Sequence, residues 1–569
     1  MLFVENLIGV GAASEMYVDP HSSKKGGHRG GPLLWTPLLI VAAVALGAVV
    51  PFAWMGNASG HDFEFHMYSW LEVVSQWKQG VTYPRWAAGA HWEYGEPRFI
   101  FYPPASWNLG ALIGFALPWK IAPGVYIWIA VTLAGISMFL LARRFLDRRD
   151  ASFAAALYAV NPYIIVVIYW RSAFAELLAA CLMPALMLLV LQISEGKKSS
   201  FVALTFVVAA GWLTNAPSAV MLMYSLAVLV LTQMAIRREW RFGWYFTWAI
   251  LLGTGLAAFY LIPAAYETRW INIDQIFAPG VSPKDNFLMT VIRDPDHNRF
   301  NALVTLVAAT EIVILVFVFW MSRKWRKAEP QLWLSCLTWS AMAILLMSSI
   351  SLPLWDHLPK LRFVQLPWRW LLCLGVPFAL LTAIGISRWP QRALLCGILF
   401  GVVLVGAYHI QQPWWDDAAD VKEMVDAVHD HVGYEGTDEY VPAGMDPEDI
   451  RRDAKTVSAA TSEKTTITIS RWEAEQKEFS VLAGAPAQIV VRLFDYPAWT
   501  ALVNGGKVAT AKGETGELTV TVPAGKSNIH VSFLRTWDRT LGLCITLVAL
   551  LVTAYLLILR VRGPRIMTK

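Results

Sequence analysis

Charge is scarce in this chain. Asp, Glu, Lys and Arg make up 16% of its 569 residues, hydrophobic side chains make up 56%, and mean hydropathy is +0.46. Average soluble domains carry roughly 25% charge. A water-soluble fold this large and this apolar would expose wide apolar patches that soluble proteins seldom tolerate. A soluble cytosolic enzyme is therefore excluded, and so is a disordered chain. Cysteine is scarce too. Cys181, Cys336, Cys373, Cys396 and Cys544 all lie in apolar stretches, without metal-ligand spacing or a disulfide framework, and read as small buried hydrophobes. Gly-rich phosphate loops and Gly-x-Gly-x-x-Gly fingerprints are missing, which leaves ATP-driven and nicotinamide chemistry unsupported. A cleavable signal is missing as well. Residues 1–33 are polar and Gly-rich, with Lys24, Lys25 and Arg29 just before the first long apolar run.

Aromatics, by contrast, are plentiful: 13% of the chain, with 28 tryptophans. Trp and Tyr gather at bilayer interfaces, where one end of each ring is apolar and the other hydrogen-bonds. The net charge of +5 does not imply a nucleic-acid partner, because cytoplasmic loops of membrane proteins collect Lys and Arg.

Twelve runs predict membrane helices: 34–54, 124–142, 151–170, 177–193, 201–213, 219–236, 243–265, 301–322, 331–354, 368–387, 392–410 and 540–560. Each needs about 20 residues to cross, and 201–213 is short. With the amino terminus inside, alternate loops carry Arg143-Arg144, Arg148-Arg149, Lys197-Lys198, Arg237-Arg238, Arg241, Arg323-Lys324, Arg326-Lys327, Arg388 and Arg392, and the tail carries Arg560 to Lys569. Every basic cluster then faces the cytoplasm, as the positive-inside rule expects. For the same parity, the moderately apolar stretch 105–118 reads as a helix lying at the outer surface between Pro103-Pro104 and Pro118.

The chain thus divides into a cytoplasmic tail (1–33), a multispanning part (34–410) with a long first outer loop (55–123), an outward segment (411–538), and a last helix with a basic cytoplasmic tail (539–569). Within the outward segment, 465–470, 487–494, 517–522 and 528–533 alternate apolar and polar residues, and Gly505-Gly506 and Pro523-Ala524-Gly525 mark turns. A β-sandwich of about 80 residues is expected there. The fold class is mainly α, a polytopic membrane protein with an outward β-rich domain near its end.

Chemistry concentrates in the first outer loop, which opens Gly60-His61-Asp62-Phe63-Glu64-Phe65-His66. On a helix Asp62 and His66 share a face. His61, Asp62 and His66, or Asp62, Glu64 and His66, could hold a divalent metal such as Mg or Mn, or the segment is a solvated loop that happens to carry acids. Farther on stand Tyr83-Pro84-Arg85-Trp86, Arg171 and Glu176 in a short outer turn, and Arg362 and Arg369 in the outer stretch 357–370. These sit close enough to the membrane surface to meet a lipid headgroup. The planar guanidinium suits phosphate, although each arginine could equally be an interfacial anchor or a salt-bridge partner, and Arg171 and Glu176, five apart, could pair with each other. Glu311 is a lone acid within the predicted spans.

The order Gly60-His61-Asp62 with His66, Tyr83-Pro84-Arg85-Trp86, Gly95-x-Pro97-x-Phe99-x-Phe101-Tyr102-Pro103-Pro104, Asn161-Pro162-Tyr163, Arg171-Ser172-Ala173-Phe174-Ala175-Glu176 and Gln365-Leu366-Pro367-Trp368-Arg369, with Glu439-Tyr440-Val441-Pro442 and Asp495-Tyr496-Pro497-Ala498-Trp499 beyond, resembles a bacterial integral membrane family labelled "membrane protein, 6-pyruvoyl-tetrahydropterin synthase-related". The pterin label carries no chemistry for a twelve-helix chain. That family is in turn similar to the GT-C glycosyltransferases, multispanning enzymes with an acidic motif in the first outer loop and a surface-lying helix after it. The resemblance implies a GT-C-like fold in a bacterial inner membrane with both termini cytoplasmic. It also implies a sugar taken from a polyprenyl phosphate and an acceptor that is a glycan, a lipid or a protein. Asp62 matches the loop acid. Asn215 stands where relatives often have histidine. The resulting expectation is that Asp62 is the base, Glu64 and His66 are metal or substrate partners, and Arg85, Arg171, Glu176, Arg362 and Arg369 are substrate-binding. A transporter or export component for lipid-linked glycans and a non-catalytic glycan-binding scaffold are the rival expectations.

Overall fold

A computed structural model describes residues 35–197, 199–460 and 465–561. The expected tail 1–33, Lys198 and the basic end 562–569 lie outside the described residues. All twelve predicted runs are helical. Ten helices are long and apolar enough to cross a membrane, and Ser200–Thr214 is apolar but short.

The run expected as one span at 243–265 is broken. Gly243–Leu256 and Ala258–Trp270 meet at 74°. A break frees backbone groups that hydrocarbon cannot satisfy, so a neighbouring hydroxyl must. The final helix, Trp537–Val561, supplies it. Thr546 Oγ1 accepts from Phe259 N at 2.9 Å and donates to Gly255 O at 3.1 Å. Gly542 on the same helix lies so near that a Cβ there would stand 2.6 Å from Ala258 O. The break is therefore a docking point for the last helix.

The stretch expected to lie at the outer surface forms the helix Pro104–Ala116, started by Pro103-Pro104. It packs on Phe63–Lys78, the helix that follows Asp62.

The outward segment contains two antiparallel sheets, as the alternating runs predicted. One has the order Val457–Ala459, Ala487–Phe494, Glu517–Val522, Thr510–Lys512. The other has Thr465–Trp472, Gln476–Ala483, Gly525–Phe533, Trp499–Val503, Gly506–Val508. Inward residues such as Phe479, Val481, Ile489, Val491, Val520, Ile529 and Val531 are buried at every second position. This core continues into the first outer loop. Trp86 packs on Tyr496, Trp499 and Phe533 with ring centroids 5.5–5.7 Å apart. A second tie joins the two regions: Asn57–Ala58 pairs with Trp415–Asp416 as a two-residue ladder. The β-rich part is thereby fixed over the loop that carries Asp62.

Candidate active site

Asp62 is placed by backbone pairing, not by capping. It occupies the N-cap position of Phe63–Lys78, where Asp usually accepts a bond from the helix's free N–H groups, yet its side chain makes no such bond. Its own N–H donates to Arg171 O at 2.9 Å, and His61 N donates to Trp170 O at 3.2 Å. Gly60 N donates to Ser172 Oγ at 2.9 Å, and that hydroxyl donates to Ala58 O at 2.8 Å. The approach requires glycine: a Cβ at Gly60 would lie 2.4 Å from the Trp170 carbonyl. On the other side, the span Arg148–Arg171 ends in a π-helical turn, Val167–Arg171, and Ser172 takes φ +48°. Such π-turns recur at functional sites. Here the turn swings Arg171 toward the first loop.

Four charged groups alternate in sign around this junction. Arg171 Nη2 donates to Asp62 Oδ2 at 2.7 Å. Arg369 Nε stands 3.3 Å from Glu176 Oε2, and Tyr163 Oη donates to Glu176 Oε1 at 2.5 Å. The Arg171 guanidinium lies over the Trp368 ring, 5.0 Å from its centroid. Arg171, Glu176 and Tyr163 are buried, and Arg369 nearly so. Asp62 differs: deep among protein atoms, its side chain keeps 34% of its surface accessible, and Oδ1 has no hydrogen-bond partner among the described residues. An accessible carboxylate thus faces outward from a buried basic floor. Burial alone would raise the Asp62 pKa, but Arg171 and Arg369 outweigh it and hold the carboxyl below its usual range. Arg171 Nε and Nη1 are buried and meet no acceptor, a state costing about 1–3 kcal/mol per group in general.

The two histidines of the motif differ. His66 is buried against Tyr102, Phe174, Phe65 and Trp70. His61 is accessible, with its ring 4.9 Å from Phe300 and 5.6 Å from Trp414. Desolvation by surrounding protein atoms, which His61 meets although part of its ring stays accessible, lowers both to about 4 against the pull of Asp62; Arg171 adds to this at both, Arg98 at His66 and His297 at His61, so both rings are neutral at neutral pH.

Of the residues expected to act together, Asp62, Arg171, Glu176 and Arg369 converge. The proposed metal trio does not. Asp62 turns to Arg171, Glu64 is exposed toward Asp416 and Glu435, and His66 points into aromatic packing. Among the described residues no three His, Cys, Asp or Glu side chains gather to hold a metal ion, and we derive no step through one. Arg85 stacks on Tyr83 at 4.2 Å, near Glu267, Glu475 and Arg539, in a separate cluster under the β-sheets. Arg362 is exposed and stacks on Phe277 at 4.6 Å, without contact to the quartet. Asn215 caps its helix by accepting from Ser218 N at 2.9 Å. Tyr163, Trp368 and the accessible His61 ring complete the site; none was expected to bind substrate, although the motifs Asn161-Pro162-Tyr163, Pro367-Trp368-Arg369 and Gly60-His61-Asp62 had marked all three.

Residues 99–413, more than half of the chain, match the family model described as "6-pyruvoyl-tetrahydropterin synthase related domain; membrane protein". No curated protein matches in sequence. Among solved structures, the chain is similar to ArnT from Cupriavidus metallidurans bound to undecaprenyl phosphate (TM-score 0.40, 12% identity, 70% of each chain covered). It is similar to the arabinofuranosyltransferase AftD from Mycobacteria (0.40, 16%, 67% of this chain and 27% of that one). A third is the oligosaccharyltransferase AglB from Archaeoglobus fulgidus in complex with an inhibitory peptide and a dolichol-phosphate (0.34, 13%, 71% of this chain and 56% of that one). Likeness at this level bears on no individual residue.

Proposed function

We propose, from the premise that the chain belongs to the 6-pyruvoyl-tetrahydropterin synthase related family of membrane proteins, that it is a glycosyltransferase moving a sugar from a polyprenyl phosphate to an acceptor. The reaction takes place at the outer face of a bacterial inner membrane. The observation that carries this reading is an accessible carboxylate, Asp62, set on a buried arginine whose Nε and Nη1 lack acceptors among the described residues. Such a floor suits an anion, and the ends of apolar helices are where a lipid phosphate would present one.

In the reaction the acceptor hydroxyl passes its proton to Asp62 as its oxygen bonds to the anomeric carbon. The bond from that carbon to the phosphate oxygen breaks, and its electron pair stays on the phosphate. One base suffices for this single displacement with inversion, unlike a retaining hydrolase with two close carboxylates. Asp62 Oδ1, free of partners among the described residues, is the proton acceptor. Arg171 and Arg369 offset the charge growing on the phosphate. Glu176 and Tyr163 orient Arg369. By the positive-inside rule, the basic clusters at 143–149, 237–241, 323–327 and 388–392 support a cytoplasmic assignment for the opposite face.

The test is Asp62→Asn in the full chain reconstituted with polyprenyl-phosphate sugars. Loss of a general base costs about 10²–10⁴ in rate, with lipid binding retained. A variant with full transfer activity overturns the reading. Sugar-lipid crossing the vesicle wall without a new glycosidic bond identifies a transporter instead.

A further inference from the structure

Two accessible rings meet at the residue before Asp62. His61 and Trp414 are both accessible, with their centroids 5.6 Å apart. Phe300 closes the far side, edge-on to His61 at 4.9 Å and to Trp368 at 5.5 Å. Trp368 in turn lies under Arg171. The wall is rigidly tied. His61 is held through its N–H to Trp170 O, and Trp414 O accepts from Ser59 N at 3.0 Å, next to the two-residue ladder. Trp414 comes from the start of the outward segment, so two parts of the chain more than 350 residues apart meet in one ring cluster.

Its chemistry is particular. The His61 ring makes no side-chain hydrogen bond among the described residues, whereas His297 nearby is engaged with Asp285 O at 3.1 Å. Being neutral, the His61 imidazole presents one N–H donor and one lone pair. Asp62 Oδ1 adds a free acceptor. Accessible aromatic faces, one neutral donor–acceptor ring and one carboxylate suit a ring with apolar C–H faces and a rim of hydroxyls. They do not suit an anion, which the buried arginines take.

We infer that His61, Trp414 and Phe300 form the sugar-ring subsite of this protein, with Asp62 at its floor. The inference deepens the proposed transfer reaction and rests on it. The sugar ring could be the one carried by the lipid or one belonging to the acceptor.

The full chain in lipid nanodiscs tests it with three probes: bare undecaprenyl phosphate, a panel of undecaprenyl-phosphoryl hexoses and pentoses, and free oligosaccharide. His61→Ala and Trp414→Ala weaken binding of the sugar-loaded lipid about five- to tenfold, as expected for one lost polar or stacking contact, and leave bare undecaprenyl phosphate unchanged. Trp414→Phe retains most of the affinity. In the wild type, diethyl pyrocarbonate modifies His61 at neutral pH, and sugar-loaded lipid protects it while bare lipid does not. Protection by free oligosaccharide alone assigns the subsite to the acceptor sugar. If loaded and bare lipids bind alike and free oligosaccharide does not protect His61, or if the variants change binding of neither the loaded lipid nor the oligosaccharide, the subsite is refuted while the phosphate site stands. If bare undecaprenyl phosphate does not bind at all, the transfer reading itself falls.

Discussion

Tyr163 hands its hydroxyl hydrogen to Glu176 across 2.5 Å, and that bond sets how the site's charges pair. Arg171 and Glu176 lie five residues apart, but a π-turn and the left-handed Ser172 separate them. Each takes a partner from elsewhere: Arg171 from the first outer loop, Glu176 from Tyr163 and Arg369. The quartet is electrically balanced, so the basic groups are buried without net charge. It is also mechanically linked, because Tyr163 N donates to the buried Glu311 at 3.3 Å. Glu311, buried in the span Pro295–Ala328, therefore anchors the helix that positions the tyrosine.

Tyr163→Phe removes one hydrogen-bond donor and leaves the ring. Glu176 Oε1 is then buried without its partner, at a cost of about 1–3 kcal/mol. The expected outcome is a lower thermal midpoint in detergent and a transfer rate reduced about tenfold, since Arg369 loses its fixed counter-ion geometry. Unchanged stability and rate would show that the phenol is idle.

Gly60→Ala tests the backbone approach. Its new methyl meets the Trp170 carbonyl carbon and oxygen at 2.4 Å, and both are backbone atoms that cannot rotate away. A cost of about 1–3 kcal/mol is expected for such overpacking, together with displacement of Asp62 and loss of transfer. Gly47→Ala, where nothing lies within 4 Å, is the control and leaves both unchanged. A Gly60→Ala protein as stable and active as the control would remove the close approach from the account.

Much of this architecture is legible in sequence because hydrocarbon imposes simple rules. Long apolar runs and their Trp and Arg flanks mark the helices, and the period-two runs 487–494 and 517–522 mark strands. The break at Ala257 is hidden, since what stabilises it is Thr546, nearly 300 residues away. The strand Gln476–Ala483 is hidden as well, because it opens on polar residues and buries Lys477. At the site, Asp62, Arg171, Glu176 and Arg369 could be chosen by residue type and by their place at helix ends. Which of them pair could not, because pairing depends on a π-turn and a glycine contact that leave no periodic trace. Arg85 and Arg362 show the cost of reasoning from type alone: both have the right chemistry, and both face elsewhere.

Glu96→Gln should be strongly destabilising. Glu96 and Arg98 are fully buried, 2.5 Å apart, with His91 Nε2 3.0 Å from the other carboxylate oxygen. Burial opposes the Glu96 charge, but Arg98 and His91 override it and bring the carboxyl down to about 2. Removing one partner strands a buried guanidinium, which costs about 3–5 kcal/mol. Arg98 also donates to Phe65 O and Ser69 Oγ on the helix that starts after Asp62. A calorimetric midpoint that does not move would contradict this linkage.

Acid should weaken the fold through His66 before it touches Asp62. Burial, with Arg98 and Arg171, lowers the folded-state value of His66 from 6.5 to about 4, against the pull of Asp62. Above pH 6.5 the ring is neutral folded or unfolded, and pH has no leverage on it. Between 6.5 and 4 the unfolded chain binds the proton and the folded chain does not, so stability falls as pH falls, by about 3 kcal/mol across the window. His61 acts in the same direction over the same range. Asp62 does not confound the measurement. Its depressed value means that its contribution is complete above the usual carboxylate range and is lost only as pH falls below it. Thermal midpoints of the wild type should therefore drop between pH 7 and 4.5, and His66→Gln, which cannot take up a proton there, should drop less. Parallel curves for the two proteins would mean that His66 is not the buried neutral ring that the aromatic packing around it requires.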